Sequence, residues 1–288
     1  MFRYVTIFLC SLFVSTLALS STVILPPHKD AITVDDFNGV GEIYNSKEPV
    51  SGSGVLLWTG RHVITAKHVI ANNNDIFDLS NLSFIINGKA YSVEKAYALE
   101  VHDLAIIRLA KKIEGGYNIH RPNALGLEFA GVGFGKGSSV PSYNNIQWDI
   151  PHGKKRIFFN KIESNTLGAY IFDVDYPQSL GHSWGAIEGE GLPGFGDSGG
   201  GIFIVENNEI YLIGIVSKIT DAYPYIGFAV NASTFTDWIE QVVEGNFDGI
   251  VDKTASMDRK TLGFAAIAFC LLYLSINIIL DSIKKRNK

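Results

Sequence analysis

Between residues 35 and 230 the chain is a succession of short β-rich apolar runs. GVLLW (54–58), HVITA (62–66), SFIING (83–88), LAIIRLA (104–110), RIFFN (156–160), AYIFDV (169–174), GIFIV (201–205) and YLIGIV (211–216) are separated by turns rich in glycine and asparagine. Many strands at close spacing, with almost no 3.6-residue periodicity between them, predict an all-β sandwich or barrel. About 200 residues of such sequence are enough for two small barrels.

One helix breaks the pattern at the end of this region. In ASTFTDWIEQVV (232–243) the apolar residues Phe235, Trp238, Ile239, Val242 and Val243 fall at helical spacing behind the cap candidates Ser233 and Thr234. Residues 246–260 then read as a linker.

The two ends are of another kind. Residues 1–20, with Arg3 before an apolar stretch and Ala18-Leu19-Ser20 as a small-x-small site, have the design of a signal peptide, followed by an N-terminal segment over 21–34. The uncharged run continues to Pro27, so an uncleaved membrane anchor is the alternative. Residues 261–280, TLGFAAIAFCLLYLSINIIL, carry no charge and would span about 30 Å as a helix, the thickness of a bilayer core. Lys284, Lys285, Arg286 and Lys288 follow it, against Arg259 and Lys260 before it, which predicts a cytoplasmic tail over 281–288. The reading is a single-pass cell-membrane protein whose β-rich body is periplasmic or extracellular.

The only cysteines, Cys10 and Cys270, sit in the two apolar end segments, so the body is disulfide-free and fits a bacterial envelope better than an animal secretory pathway. The formal net charge is −5 and no basic stripe interleaved with aromatics occurs in the body, which removes nucleic acid as a partner. His62 and His68 have no acidic or cysteine companions at zinc-ligand spacing, and no metal site is expected.

The motif with chemical content is GFGDSGGGIF (194–203), in which Ser198 stands among glycines. A serine hydroxyl becomes a nucleophile only beside a base that an acid orients. All seven histidines precede Ser198, which excludes the serine-acid-histidine order of the α/β-hydrolases. Asp30, Asp35 and Asp36 could imitate a subtilisin order, but no helix follows Ser198 where that fold needs one. What remains is histidine, acid, serine, with His68 in ITAKHVI and Asp103 in HDLAIIRLA as the candidates.

These three segments, T-A-K-H, D-L-A-I-I-R-L and G-D-S-G-G, resemble the signature segments of the chymotrypsin or trypsin-like serine protease family. The resemblance covers residues 35–245 and includes the terminal helix around Trp238 and GIVSK (214–218), which is similar to that family's substrate-binding strand. It implies two six-stranded antiparallel β-barrels with a C-terminal α-helix, and a serine endopeptidase without cofactor that acts on polypeptides through an acyl-enzyme. Ser198 would be the nucleophile, His68 the base and Asp103 its orienting acid, with the backbone N–H groups of Gly196 and Ser198 as the oxyanion hole. Leu192, Ser217, Ile219 and Tyr225 would form the substrate-binding pocket. Leu192 occupies the position of the aspartate that receives Arg or Lys in trypsins, so cleavage after small or aliphatic residues is expected. A catalytically silent, protease-like binding protein of the cell envelope is the alternative.

Departures from the family pattern are also visible. Lys67 replaces a small residue before the histidine, Gly201 replaces a proline after GDSGG, and Val69 and Ser53 stand where the family has a disulfide. The resemblance further implies that Asp197 pairs with an α-amino group made by proteolysis. Cleavage between Ala31 and Ile32 would supply one, while bacterial relatives that need no cleaved terminus offer the other outcome.

Overall fold

The structure, a computed structural model, describes residues 32–47, 52–73, 75–138, 146–174, 187, 190–220 and 225–247. The expected signal peptide over 1–20, the apolar segment 261–280 and the basic tail 281–288 lie outside the described residues, as do most of 21–34 and 246–260. Among the described residues no helix is long and apolar enough to cross a membrane.

The first half contains β1 (Val40–Asn45), β2 (Gly52–Leu56), β3 (His62–Thr65), the one-turn helix α1 (Lys67–Ile70), β4 (Ala71–Asn72), β5 (Asp75–Ile76), β6 (Leu82–Ile86), β7 (Lys89–Ala98) and β8 (Ala105–Leu109). Six of these strands close into an antiparallel barrel in the order β1-β2-β3-β8-β7-β6, with β6 returning to β1. Alternation explains the strand faces: β6 turns Leu82, Phe84 and Ile86 inward and leaves Ser83 and Ile85 half-buried. β2 and β3 are buried at every position. One face fills the barrel through Leu56 and Val63, and the other meets the second half through Val55 and Ile64.

The second half contains β9 (Asn118–Ile119), β10 (Glu128–Gly133), β11 (Arg156–Lys161), β12 (Ser164–Thr166), β13 (Ala169–Asp173), β14 (Gly201–Glu206), β15 (Glu209–Ile219) and β16 (Ile226–Asn231). They form one sheet in the order β11-β10-β14-β15-β16-β13-β12, with β9 added parallel to β15. This corrects the expectation of a second closed six-stranded barrel: the sheet curls into a half-barrel whose edges among the described residues, β11 and β12, do not pair. The physical reason lies in two contacts. The outer edge of β11 is taken by a parallel bridge from Phe159 to Glu190, with Gly191 N–H donating to the Phe159 carbonyl at 2.8 Å. Asn160 spans the remaining gap with its side chain, donating to the carbonyls of Asp173 (2.7 Å) and Gly191 (3.0 Å).

A shared apolar cluster joins the halves, combining Phe37, Val55 and Ile64 with Val132, Phe203 and Ile215. The helix α2 (Thr236–Glu244) lays Trp238, Ile239 and Val242 on that cluster. The 3₁₀ turn Ala232–Phe235 that leads into it is capped by Asn231, whose side chain accepts from Ser233 N–H at 3.0 Å, while the N-cap position of α2 itself is Phe235 and neither Ser233 nor Thr234 caps it. Gly245, with φ +77°, ends it in the left-handed conformation that glycine adopts without penalty. A barrel, a curled half-barrel and a C-terminal helix constitute a chymotrypsin-like topology.

Candidate active site

His68 and Asp103 come from the first barrel. β3 ends at Thr65, Ala66 continues in extended conformation, and the chain turns at once into α1, which carries His68. Asp103 lies in the bend between β7 and β8, fixed by the fully buried Leu104, whose N–H donates to the His102 carbonyl at 2.9 Å. Lys67 ties the two segments together, its ammonium donating to the Glu100 carbonyl at 2.6 Å. The unexpected lysine before the histidine thus braces the loop that bears the acid.

The Asp103 carboxylate is surrounded by donors. Oδ2 lies 2.8 Å from His68 Nδ1 and accepts from the Ser217 hydroxyl at 2.6 Å, while Oδ1 accepts from the His68 backbone N–H at 3.0 Å. Burial acts to raise its pKa, but the His68 ring, the Ser217 hydroxyl and the His68 N–H together hold it below the ordinary carboxylate value. An ionised acceptor facing Nδ1 places the imidazole proton there and leaves Nε2 with its lone pair.

Ser198 comes from the second half, in the loop between residues 194 and 200, where almost every peptide is pinned. The Phe195 carbonyl accepts from Lys136 N–H at 2.8 Å, and the Asp197 carbonyl from Gly200 N–H at 2.8 Å. In a trans peptide the C=O and the following N–H point in opposite directions. The N–H groups of Gly196 and Ser198 are therefore turned away from Lys136 and Gly200, and neither donates a hydrogen bond to another described residue. The Gly196 φ of +101° makes this arrangement accessible to glycine and strained for other residues.

Ser53 holds the other side of the loop. Its hydroxyl donates to the Gly196 carbonyl at 2.9 Å and accepts from Phe134 N–H at 2.9 Å, while its own N–H donates to the Ser198 carbonyl at 2.8 Å. The residue facing Val69 is instead Gly52: a Cβ there would fall 2.6 Å from Val69 Cγ1.

Between the halves lies a cleft of about 780 Å³ that includes His68, Asp103, Gly196 and Ser198. Pro193, Gly194 and Phe195 form one wall, and the strand from Val216 to Ile219 forms another. Phe195 is 52% exposed and meets Trp148 edge-on at 5.8 Å. Ser217 and Ile219 of the expected pocket residues line the cleft. Leu192 is fully buried in the core of the second sheet and Tyr225 packs against that core, so neither lies on it. Among the described lining residues Asp103 is the only carboxylate, whereas Lys136, His152 and Lys218 bring basic groups. The Ser198 hydroxyl donates to the Ser217 carbonyl at 3.3 Å, so Ser217 touches Ser198 with its backbone and Asp103 with its side chain. Among the described residues no group of three His, Cys, Asp or Glu side chains is arranged to hold a metal.

Sequence reasoning missed Ser53 and the hydroxyl of Ser217. The only signal for Ser53 is a polar residue inside a strand that is otherwise glycine and aliphatic. No protein-family model matches the chain, and no curated protein matches it.

Proposed function

We propose that the chain is a serine endopeptidase. The observation that carries this reading is the Asp103–His68 pair facing the same cleft as Ser198, with two backbone N–H groups beside the serine that donate to no other described residue. In the proposed reaction the Ser198 hydroxyl turns from the Ser217 carbonyl towards His68 Nε2, which takes its proton as Oγ attacks the scissile carbonyl. The Gly196 and Ser198 N–H groups stabilise the resulting oxyanion. His68 then delivers the proton to the leaving amine, and a water activated by the same nitrogen hydrolyses the acyl-enzyme. Asp103 stabilises the imidazolium formed at each step and remains ionised.

The cleft walls favour apolar over cationic side chains before the scissile bond, since Pro193, Val216 and Ile219 line it and no described carboxylate other than Asp103 does. In this proposal residues 261–280 anchor the domain to the cell membrane, with the cleft on the outer side.

Reaction of the full chain with a fluorophosphonate probe tests the function. The wild type is expected to be labelled at Ser198 and the Ser198→Ala variant not at all. Absence of wild-type labelling would favour a protease-like binding protein, and labelling that persists in the variant would assign the wrong serine.

A further inference from the structure

The charges around the cleft are unevenly committed. Among the described lining residues the one carboxylate, Asp103, is engaged by His68 and Ser217. The basic residues are not: Lys136, His152 and Lys218 line the cleft, and none of the three side chains forms an ion pair or a hydrogen bond with another described residue. The chain as a whole has a formal net charge of −5, so this lining is not the by-product of a basic protein.

Fixed backbone carries these residues on both walls. Lys136 N–H donates to the Phe195 carbonyl at 2.8 Å, which sets Lys136 against the nucleophile loop. Its neighbour Gly137 exchanges hydrogen bonds of 3.0 and 3.1 Å with Ile150, and Gly153 N–H returns to the Phe134 carbonyl at 2.8 Å, so the turn bearing His152 runs alongside. Arg156, the first residue of β11 and only 1% exposed, locks the two segments together. Its guanidinium donates to the Gly135 carbonyl and, at 2.7 Å, to the Pro151 carbonyl, the residues immediately before Lys136 and His152.

The opposite wall uses a strand irregularity. The register of β15 against β16 shifts between Val216 and Lys218, which makes Ser217 the extra residue of a bulge. Ser217 is thereby free to face Asp103, while Lys218 stands opposite Phe228 with its ammonium 5.1 Å from the ring centroid. An ammonium over an aromatic face is held in place and still has N–H donors to offer.

We propose that the cleft selects acidic polypeptide segments, with Lys218 on one wall and Lys136 and His152 on the other receiving aspartate or glutamate side chains that flank an apolar residue at the scissile bond. Basic groups without anions of their own, set in the low-dielectric walls of a cleft, concentrate a field that draws such segments in. The inference rests on the serine-peptidase reading and adds the substrate class.

The test measures kcat/KM of the full chain for matched peptides with an aliphatic residue before the scissile bond. One peptide carries aspartate and glutamate on both sides, and the other carries asparagine and glutamine at the same places. Their ratio cancels any change in the folded fraction, so a merely destabilised variant does not alter it. Wild type is expected to prefer the acidic peptide about tenfold at low ionic strength, from charge pairs of about two- to fivefold each. Most of that preference should vanish in about 1 M salt, where the screening length falls to about 3 Å. Lys136→Gln and Lys218→Gln should each lower the ratio, and the double variant should bring it near one. A double variant that keeps the wild-type ratio overturns the inference. A wild-type ratio near or below one, or one that salt leaves unchanged, overturns it without any variant. If that happens while the fluorophosphonate still labels Ser198, the peptidase reading stands and the substrate class falls; if wild type is not labelled, both fall.

Discussion

Replacing Ser53 by alanine deletes one oxygen from a fully buried site and leaves two backbone groups without their partner. These are the Gly196 carbonyl and the Phe134 N–H, each 2.9 Å from that oxygen. An unsatisfied buried donor or acceptor costs about 1–3 kcal/mol, giving about 2–6 kcal/mol for the pair. Relaxation brings the expectation to about 3 kcal/mol, since the space vacated by one oxygen is too small for a replacement water. For a domain of this size that lowers the melting temperature by about 6–12 °C. Catalysis should suffer separately. Loss of a whole oxyanion donor costs about 10²–10³ in kcat. Here the donor survives with a looser Gly196 peptide, still tethered by Asp197 N–H to the Gly194 carbonyl at 3.0 Å, so about tenfold is expected, with KM unchanged. Circular-dichroism melting and peptide-substrate kinetics on the same preparation measure both. A variant that melts within 2 °C of wild type, on the order of a surface substitution, and keeps its kcat would refute the bridging role of Ser53.

Asp103→Asn should fold and lose about 10⁴ in kcat, because the amide no longer fixes the productive His68 tautomer; retention of more than a tenth of the rate would remove Asp103 from the mechanism. His62 is buried beside Arg108 and Arg61, and its pKa is lowered to about 4 by burial first and those two charges second. Between that value and 6.5 only the unfolded chain binds the proton, so stability is full above pH 6.5 and falls as the pH drops towards 4, by up to about 3 kcal/mol. Melting temperatures at pH 7 and 4.5 should therefore differ more in wild type than in His62→Asn, and equal differences would dismiss His62 as the source. A peptide library should return small or aliphatic residues before the scissile bond; dominant cleavage after Arg or Lys would contradict the cleft described here. Removing residues 261–288 should release an active soluble domain, and a truncated protein that stays with membranes in high salt would overturn the anchor.

Legibility in the sequence followed the kind of interaction. The eight apolar runs became β2, β3, β6, β8, β11, β13, β14 and β15, since a strand buried on one or both faces must be apolar there. β7 escaped notice because KAYSVEKAYA exposes half of its side chains to solvent and buries only Val93 and Ala98. The open second sheet was invisible because the side chain of Asn160 and the bridge to Glu190, not strand hydropathy, decide what occupies the edge of β11. His68, Asp103 and Ser198 were legible through their order and flanking residues. Arg156 was not: in HGKKR it reads as one more solvated charge, and only the folded chain shows it sealed beneath Gly135. That Leu192 is buried away from the described cleft lining was illegible for a related reason, since counting residues back from Ser198 cannot tell which way a side chain turns.

The division of the site between two separately built halves has a consequence for the order of events during synthesis. Base and acid are encoded in the first barrel and emerge from the ribosome about a hundred residues ahead of the serine, on the order of five to twenty seconds earlier. Throughout that interval the nascent chain bears an imidazole with nothing to activate. Because the serine loop is held by Ser53 of the first barrel as well as by its own sheet, the proposed reactivity would arise only when the two halves dock. On the peptidase reading, such a chain could not attack the machinery that makes it while it is still incomplete.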